Sequence, residues 1–381
     1  MKDKALRGRA ARYLRNSPKS SNLLLCRSSD LAKENKFLLL AIFVFLLLLG
    51  AGCGRAPLLP SDGGVFKSTD HALTWQQKID LLSAGQSKNI GGVSVLNLVF
   101  DPQDSRTIYL NARGGGLFVS YNGANSWQEI DTLPKGNLNV IAPDPKEKNI
   151  IYLGIGGKIF KTTTCCRDWQ NIYLEALAST EITALAIDPV DHNKILAGLS
   201  DGRLIKSIDA GVNWATFYNF KAKIRQILIN PNNTNTIYVN TLGQGVWRSA
   251  DAGNNWQSLD GALKNYQGGR EASLILFDLT KNDSLIMATN YGLLRSDDAG
   301  QDWSAYKLLS PAGRVKITAF GFNPQNPNEI YYTSESALYR SFDGGNRWQT
   351  KPLPSKKIPV VLLVDPMTPA VIYLGLANSG K

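Results

Sequence analysis

Seven tryptophans stand at positions 75, 127, 169, 214, 256, 303 and 348, separated by 52, 42, 45, 42, 47 and 45 residues. Each closes a stretch of the form Ser-x-Asp-x-Gly-x-x-Trp. The full pattern occupies 207–214, 249–256, 296–303 and 341–348. Three copies are weaker. The one at 68–75 keeps Asp70 but has Ala72 where Gly is expected. The one at 120–127 has Asn122 for Asp and Ala124 for Gly, and the one at 162–169 keeps only a hydroxyl and Trp169, with Thr164 and Cys166 at the other two positions. Such self-similarity constrains the fold more than composition does, because a unit this small buries its apolar face only against its neighbours.

The residue types suit a tight turn between two strands. Apolar runs flank each copy, as in Gly245-Val246-Trp247-Arg248 before 249–256 and Gln257-Ser258-Leu259 after it, which is the pattern of a hairpin. Asp and Asn accept hydrogen bonds from N–H groups of their own turn. Gly takes positive φ at no steric cost, and Trp fills space between sheets. We therefore read a structural role for Asp70, Trp75, Asn122, Trp127, Trp169, Asp209, Trp214, Asp251, Trp256, Asp298, Trp303, Asp343 and Trp348. Short strands recurring every 40–50 residues or so predict an all-β propeller.

Each unit has four strand-like pieces. In the fourth these are 224–230, 236–241, 245–249 and 256–259. The first piece ends at Asn230-Pro231, which terminates a strand. Asp101-Pro102, Asp144-Pro145, Asp188-Pro189, Asn323-Pro324 and Asp365-Pro366 do the same elsewhere, and Asp278-Leu279 departs from the rule. The C-terminal end supplies a first and a second strand (360–364, 371–376), and the N-terminal end a third and a fourth (64–68, 75–79). Joined, they complete one blade. Seven blades over residues 62–381 then close without a free sheet edge.

The region before the repeats differs. Residues 37–49 are unbroken apolar, short for a spanning helix and right for the core of an export signal. Gly50-Ala51-Gly52-Cys53 follows and resembles the lipobox of bacterial lipoproteins, with Gly50 where Leu is preferred. Cys53 is the expected lipidation site, and an uncleaved signal anchor is the alternative. Residues 1–36 read as a basic cytoplasmic n-region or a start placed too far upstream, and 54–61 as a tether with two prolines. The remainder is then extracytoplasmic, on the outer side of the cell membrane. Residues 1–55 carry +8 of the net charge of +11, so the basic balance describes the N-terminus and does not call for nucleic acid.

A propeller has two faces. With strands running outward in order, the octapeptides and the Asp/Asn-Pro loops share one, and the blade-to-blade crossings and second-to-third-strand loops make the other. The crossings carry Lys88, Lys135, Lys221, Lys223, Lys264, Arg270, Arg314, Lys316, Lys356 and Lys357 against Glu175, Glu181 and Glu271. Function commonly sits on such loops. Arg225, Arg270, Arg314 and Lys316 are the candidate contacts for an acidic protein segment, with a glycan as the other partner class. A second series (Lys67, Lys161, Lys206, Arg248, Arg295 and Arg340) precedes the octapeptides and reads as strand alternation with the charge in water. The adjacent Cys165 and Cys166 are read as an incidental pair or a strained vicinal disulfide. Without nearby His or a C-x-x-C spacing they do not suggest a metal, and no cofactor is expected. His71 and His192 are the only two histidines, and no nucleophile–base constellation stands out. The expectation is a monomer that is not an enzyme.

The octapeptide resembles the Asp-box, or neuraminidase-type repeat. Sialidases that carry it are six-bladed and use an arginine triad, a Tyr–Glu pair and an Arg-Ile-Pro motif; this sequence has no Arg-Ile-Pro. Xyloglucan-cleaving glycosidases carry it on two seven-bladed propellers with one carboxylate from each. Sortilin-type receptors have ten blades and a Cys-rich module. Over residues 62–381 the chain resembles the photosystem II assembly and stability factor family and its non-photosynthetic bacterial relatives. That resemblance implies a single exported propeller, often a lipoprotein, that binds partner proteins through a basic patch. The expectation is a membrane-tethered, protein-binding scaffold, and the alternative a carbohydrate-binding or glycosidase-like surface protein.

Overall fold

The computed structural model describes residues 61–82 and 88–378. The basic n-region, the apolar run, Cys53 and most of the tether lie outside the described residues. Within the described ones the fold is seven four-stranded antiparallel sheets. Blade 1 consists of Val95–Asp101, Asp104–Ala112, Leu117–Ser120 and Gln128–Glu129, in that spatial order. Blades 2 to 6 repeat the meander from first strands at Leu138–Pro143, Ile182–Ile187, Ile224–Ile229, Ala272–Phe277 and Ala319–Asn323. Blade 7 takes Ile358–Val364 and Ile372–Ala377 from the C-terminal end, then Gly64–Ser68 and Gln76–Gln77 from the N-terminal end. The two ends pair over five residues, from Gly64 opposite Leu376 to Ser68 opposite Ile372. One short 3-10 turn, Asp260–Leu263, interrupts the strand pattern in the crossing to blade 5.

Five of the seven second strands are buried throughout, as at Ile195–Leu199 and Leu285–Thr289, because each is sandwiched between neighbouring sheets. Close approach at the seams is set by small residues. A Cβ on Gly198 in blade 3 would stand 2.4 Å from Ile224 of blade 4.

The octapeptide turns have a common geometry. In blade 4, Ser249 Oγ donates to Asp251 Oδ1 at 2.8 Å and accepts from the N–H of Gly253 at 2.8 Å, while the N–H of Asn255 donates to Asp251 Oδ1 at 2.9 Å. Two consecutive residues then adopt positive φ: Ala252 at 58° and Gly253 at 94°. The weaker copies do the same without Gly at the second position, at His71-Ala72, Gly123-Ala124 and Cys165-Cys166. The glycine is needed less for its φ than for space. A Cβ on Gly253 would lie 2.3 Å from Phe217 on the outer strand of blade 3. Left-handed backbone also turns adjacent side chains apart. Cys166 is buried with Trp169 and Tyr109, while Cys165 is exposed, and both are free thiols. The vicinal disulfide is thus corrected. Burial pushes the Cys166 thiol up to about 12.

The cations before the octapeptides do not all point to water, as alternation predicts. Lys67 Nζ donates to the carbonyl of Gly123 at 2.9 Å, Lys161 Nζ to that of Ala210 at 3.2 Å, and an Arg340 Nη to that of His71 at 2.6 Å. Each acceptor is the first left-handed residue of the next blade's turn. At the seam of blades 4 and 5 the Tyr238 hydroxyl takes the same role toward Ala299, at 3.1 Å. The two lysine ammonium groups lie over the rings of Tyr373 and Tyr152; both side chains are half-buried, and burial lowers both lysine pKa values.

Two substitutions test this account of the seams. Gly253→Ala is expected to lower unfolding stability by about 2–4 kcal/mol, from backbone strain plus the clash with Phe217. Ala252→Gly, one residue earlier at the same φ sign, is expected to be neutral or stabilising. Urea unfolding of the two variants checks this; equal losses would contradict it.

Candidate functional site

The meander places the octapeptides and the Asp/Asn-Pro loops on one face and the crossings on the other. On the turn face the carboxylates are largely occupied by turns and seams. Asp70 accepts from the N–H groups of Leu73 and Thr74 and from the Thr74 and Ser68 hydroxyls. Burial opposes its ionisation, yet these bonds prevail and hold its pKa down to about 2. Asp209, Asp251 and Asp343 are lowered chiefly by backbone N–H bonds from Asn213, Asn255 and Arg347. His71 meets Glu329 across the seam of blades 6 and 7 at 2.6 Å, and His192 meets Asp144 across that of blades 2 and 3 at 3.1 Å. Both histidines are thus spent on packing.

The crossing-loop face has a different character. Near the start of six first strands the ladder skips a residue, at Leu96, Asn139, Thr183, Arg225, Ser273 and Val360. Such bulges re-aim side chains at sheet ends. Here three of them lace one blade to the next around the channel mouth. Asn139 donates to the carbonyl of Ile182, Thr183 to that of Ile224 and Arg225 to that of Ala272, at 3.2, 2.6 and 3.4 Å. Just outside this ring stand Lys223, Lys316 and Lys357 on blades 4, 6 and 7, with Glu181 and Glu271 on blades 3 and 5. The ring was not legible from the sequence, since a bulge adds no special residue.

The four predicted contact residues are all exposed on this face. Among the described residues, no carboxylate lies within 4.0 Å of Arg225, Arg314 or Lys316. Arg270 differs, because its guanidinium is paired with Asp260. The structure brings Arg225 to the mouth, and Arg314 and Lys316 to the crossing from blade 5 to blade 6. Below the mouth the central channel holds a cavity of about 760 Å³. Its wall is mainly apolar, with Leu228, Leu276 and Leu363 partway down and Pro231, Pro324 and Pro366 at the turn-face end. A second, open cleft of about 750 Å³ lies between blades 6 and 7, lined by Asp62, Glu335, Pro352, Leu353 and Lys356.

One carboxylate on this face is buried. Glu175 sits in the crossing from blade 2 to blade 3, 2.9 Å from Arg203, and accepts from the Tyr173 hydroxyl at 2.8 Å and the N–H of Leu177 at 3.0 Å. Burial disfavours its charge, but the bonds from Arg203, Leu177 and Tyr173 prevail and hold its pKa down to about 2. This network fixes a loop that displays Leu174 and Leu177, 64% and 57% exposed. Sequence reasoning missed the pair because Arg203 is on a different blade from Glu175. Among the described residues no cluster of His, Cys, Asp and Glu fits a metal ion.

No family model matches the chain. A curated relative is the xyloglucanase Xgh74A of Acetivibrio thermocellus, 24% identical over 327 residues, which covers 68% of this chain and 38% of that enzyme. The chain thus spans about two-fifths of its relative's length. Among solved structures, the GH74 xyloglucanase from Xanthomonas campestris matches with a TM-score of 0.61 and 17% identity, covering 75% of this chain and 51% of that one. YCF48 bound to D1 peptide matches with a TM-score of 0.57 and 17% identity, covering 76% of this chain and 94% of that one. These likenesses are of fold. They overturn the expectation that the chain is not an enzyme, since relatives matched in sequence over two thirds of it are xyloglucanases. That expectation rested on missing motifs, and carboxylates on loops form no motif that a sequence displays.

Glu175 supplies a test of how the face is held. Its folded-state pKa lies below its ordinary value of 4.5, so its contribution is fully present above that value and is lost as pH falls toward about 2. Glu175→Gln is expected to flatten the fall of the thermal midpoint over that window and to speed amide exchange at residues 174–178. A variant with the parent's acid profile and exchange rates would contradict the assignment.

Proposed function

We propose that the propeller is an extracytoplasmic docking module, tethered to the cell membrane through residues 37–53, whose crossing-loop face receives an acidic segment of a protein partner. The observation that carries this reading is the contrast between the faces. Most turn-face carboxylates are taken up by turn hydrogen bonds and seams, whereas Arg225, Arg314 and Lys316 stand exposed around one sector of the channel mouth without acidic partners among the described residues. Unpaired charge on a rigid rim steers and orients an oppositely charged ligand at little reorganisation cost. The likeness to a propeller solved with a peptide supports the reading at the level of fold.

A second reading, glycan binding with hydrolysis, is favoured by the xyloglucanase relatives and by the cleft between blades 6 and 7. There Asp62 and Glu335 share one open groove with Pro352 and Leu353, and glycoside hydrolysis commonly needs two carboxylates flanking the bond.

One paired experiment separates the readings. The full chain and an Arg225→Ala/Arg314→Ala/Lys316→Ala variant are used for capture from detergent-solubilised membranes, and both are assayed for sugar release from xyloglucan beside Asp62→Asn and Glu335→Gln variants. The docking reading expects a defined protein partner held by the parent chain and at least tenfold depleted with the triple variant. Sugar release that disappears in Asp62→Asn or Glu335→Gln, with no protein captured, would replace it with the glycan reading.

A further inference from the structure

The third strand of blade 7, Gly64–Ser68, runs from the crossing-loop face down to its octapeptide. What precedes it therefore meets the propeller at the crossing-loop face. Ser61 is fixed there, its hydroxyl donating to the carbonyl of Gly91 at 2.6 Å and lying 3.3 Å from Lys357 Nζ. Asp62 lines the cleft on the same face. Only residues 54–60 separate this point from Cys53, a reach of at most about 29 Å even when fully extended. The proposed tether therefore joins the propeller on this face.

The chemistry of the face matches that position. Lys221, Lys223, Arg225, Arg314, Lys316 and Lys356 are all exposed, on blades 4, 6 and 7 or the crossings into them. On neighbouring loops of the same face stand Leu177, Leu242 and Leu309, 57%, 45% and 57% exposed. Exposed apolar residues also occur on the turn face, Val212 and Met367 among them at 77% and 75%, so the leucines select the crossing-loop face only together with the entry of the chain there. Basic side chains interleaved with exposed leucines are the composition of a surface that lies in an anionic bilayer interface.

We propose that the crossing-loop face rests on the membrane and recognises anionic lipid headgroups, with Lys221, Lys316 and Lys356 at the phosphates and Leu174 and Leu177 in the interfacial layer. This rests on the proposed tether and narrows the docking reading. The partner's acidic segment is then one presented at the bilayer surface, by a membrane protein and not by a soluble one. Glu175 and Arg203 are positioning residues here, since they hold the loop that carries the leucines.

The test uses the full chain in vesicles of phosphatidylcholine with or without phosphatidylglycerol. Amine labelling of individual lysines is followed by mass spectrometry. Lys221, Lys316 and Lys356 are expected to label about fivefold more slowly in the anionic vesicles, with the difference erased by high salt. Lys194 and Lys281 on the turn face are expected to label equally in both. Leu174→Asp/Leu177→Asp is expected to shrink the protection while strand content stays unchanged. Equal labelling of Lys316 in the two vesicles overturns the proposal, as does protection of Lys194 or Lys281. Partner capture with equal labelling leaves the docking reading standing and this one refuted; protection without capture does the reverse.

Discussion

Every seam of this propeller depends on how one turn meets the sheet before it. The octapeptide must place two successive residues in the left-handed region, and that presents the first one's carbonyl to the preceding blade. A donor from that blade then caps it at four seams: Lys67, Lys161, Tyr238 or Arg340. The second residue must leave room for the preceding blade's outer strand. Gly253 does so for Phe217, and Ala72, Ala124 and Cys166 fill the equivalent slot as small buried side chains. Turn conformation and blade packing are one constraint, which is why the octapeptide recurs while the loops around it diverge.

The division of labour between the faces follows. The turn face spends its acids on its own N–H groups and on seams, as at Asp70, Asp251 and Asp144. Little of that chemistry remains for a ligand. The crossing loops answer to no such geometry and are free to vary in length and charge. Asn139, Thr183 and Arg225 lace the blades around the mouth, and Lys223 and Lys316 outside them do not take part in the lacing. A rigid frame that presents variable loops is a general route to binding sites, and it accommodates both a protein partner and a glycan on one architecture.

Much of the frame was legible because its determinants are local and periodic. The tryptophan spacing, the Asp/Asn-Pro stops and the complementary ends lead to seven blades closed by the two termini, and the sheets are ordered that way. What escaped were contacts between distant residues. The caps on the turns join neighbouring blades, so Lys67, Lys161 and Arg340 look like solvated charges in sequence. Arg270 looked like a free cation because Asp260, ten residues earlier, folds back onto it. The cysteines left a vicinal disulfide open beside an incidental pairing because αL geometry, which separates them, is unexpected for Cys. The cleft with Asp62 and Glu335 draws on distant parts of the described chain, and the expectation of a non-enzyme was overturned by the xyloglucanase relatives.

The central claim is that the crossing-loop face is the ligand face and the turn face is structural. Replacing Lys316, and in a second variant Lys281, with benzoylphenylalanine, followed by photo-crosslinking of the full chain in native membranes and mass spectrometry of the adducts, tests it most directly. The account predicts adducts with another macromolecule or lipid from position 316 and none above background from position 281. Adducts from position 281 alone, or equally from both, would contradict it.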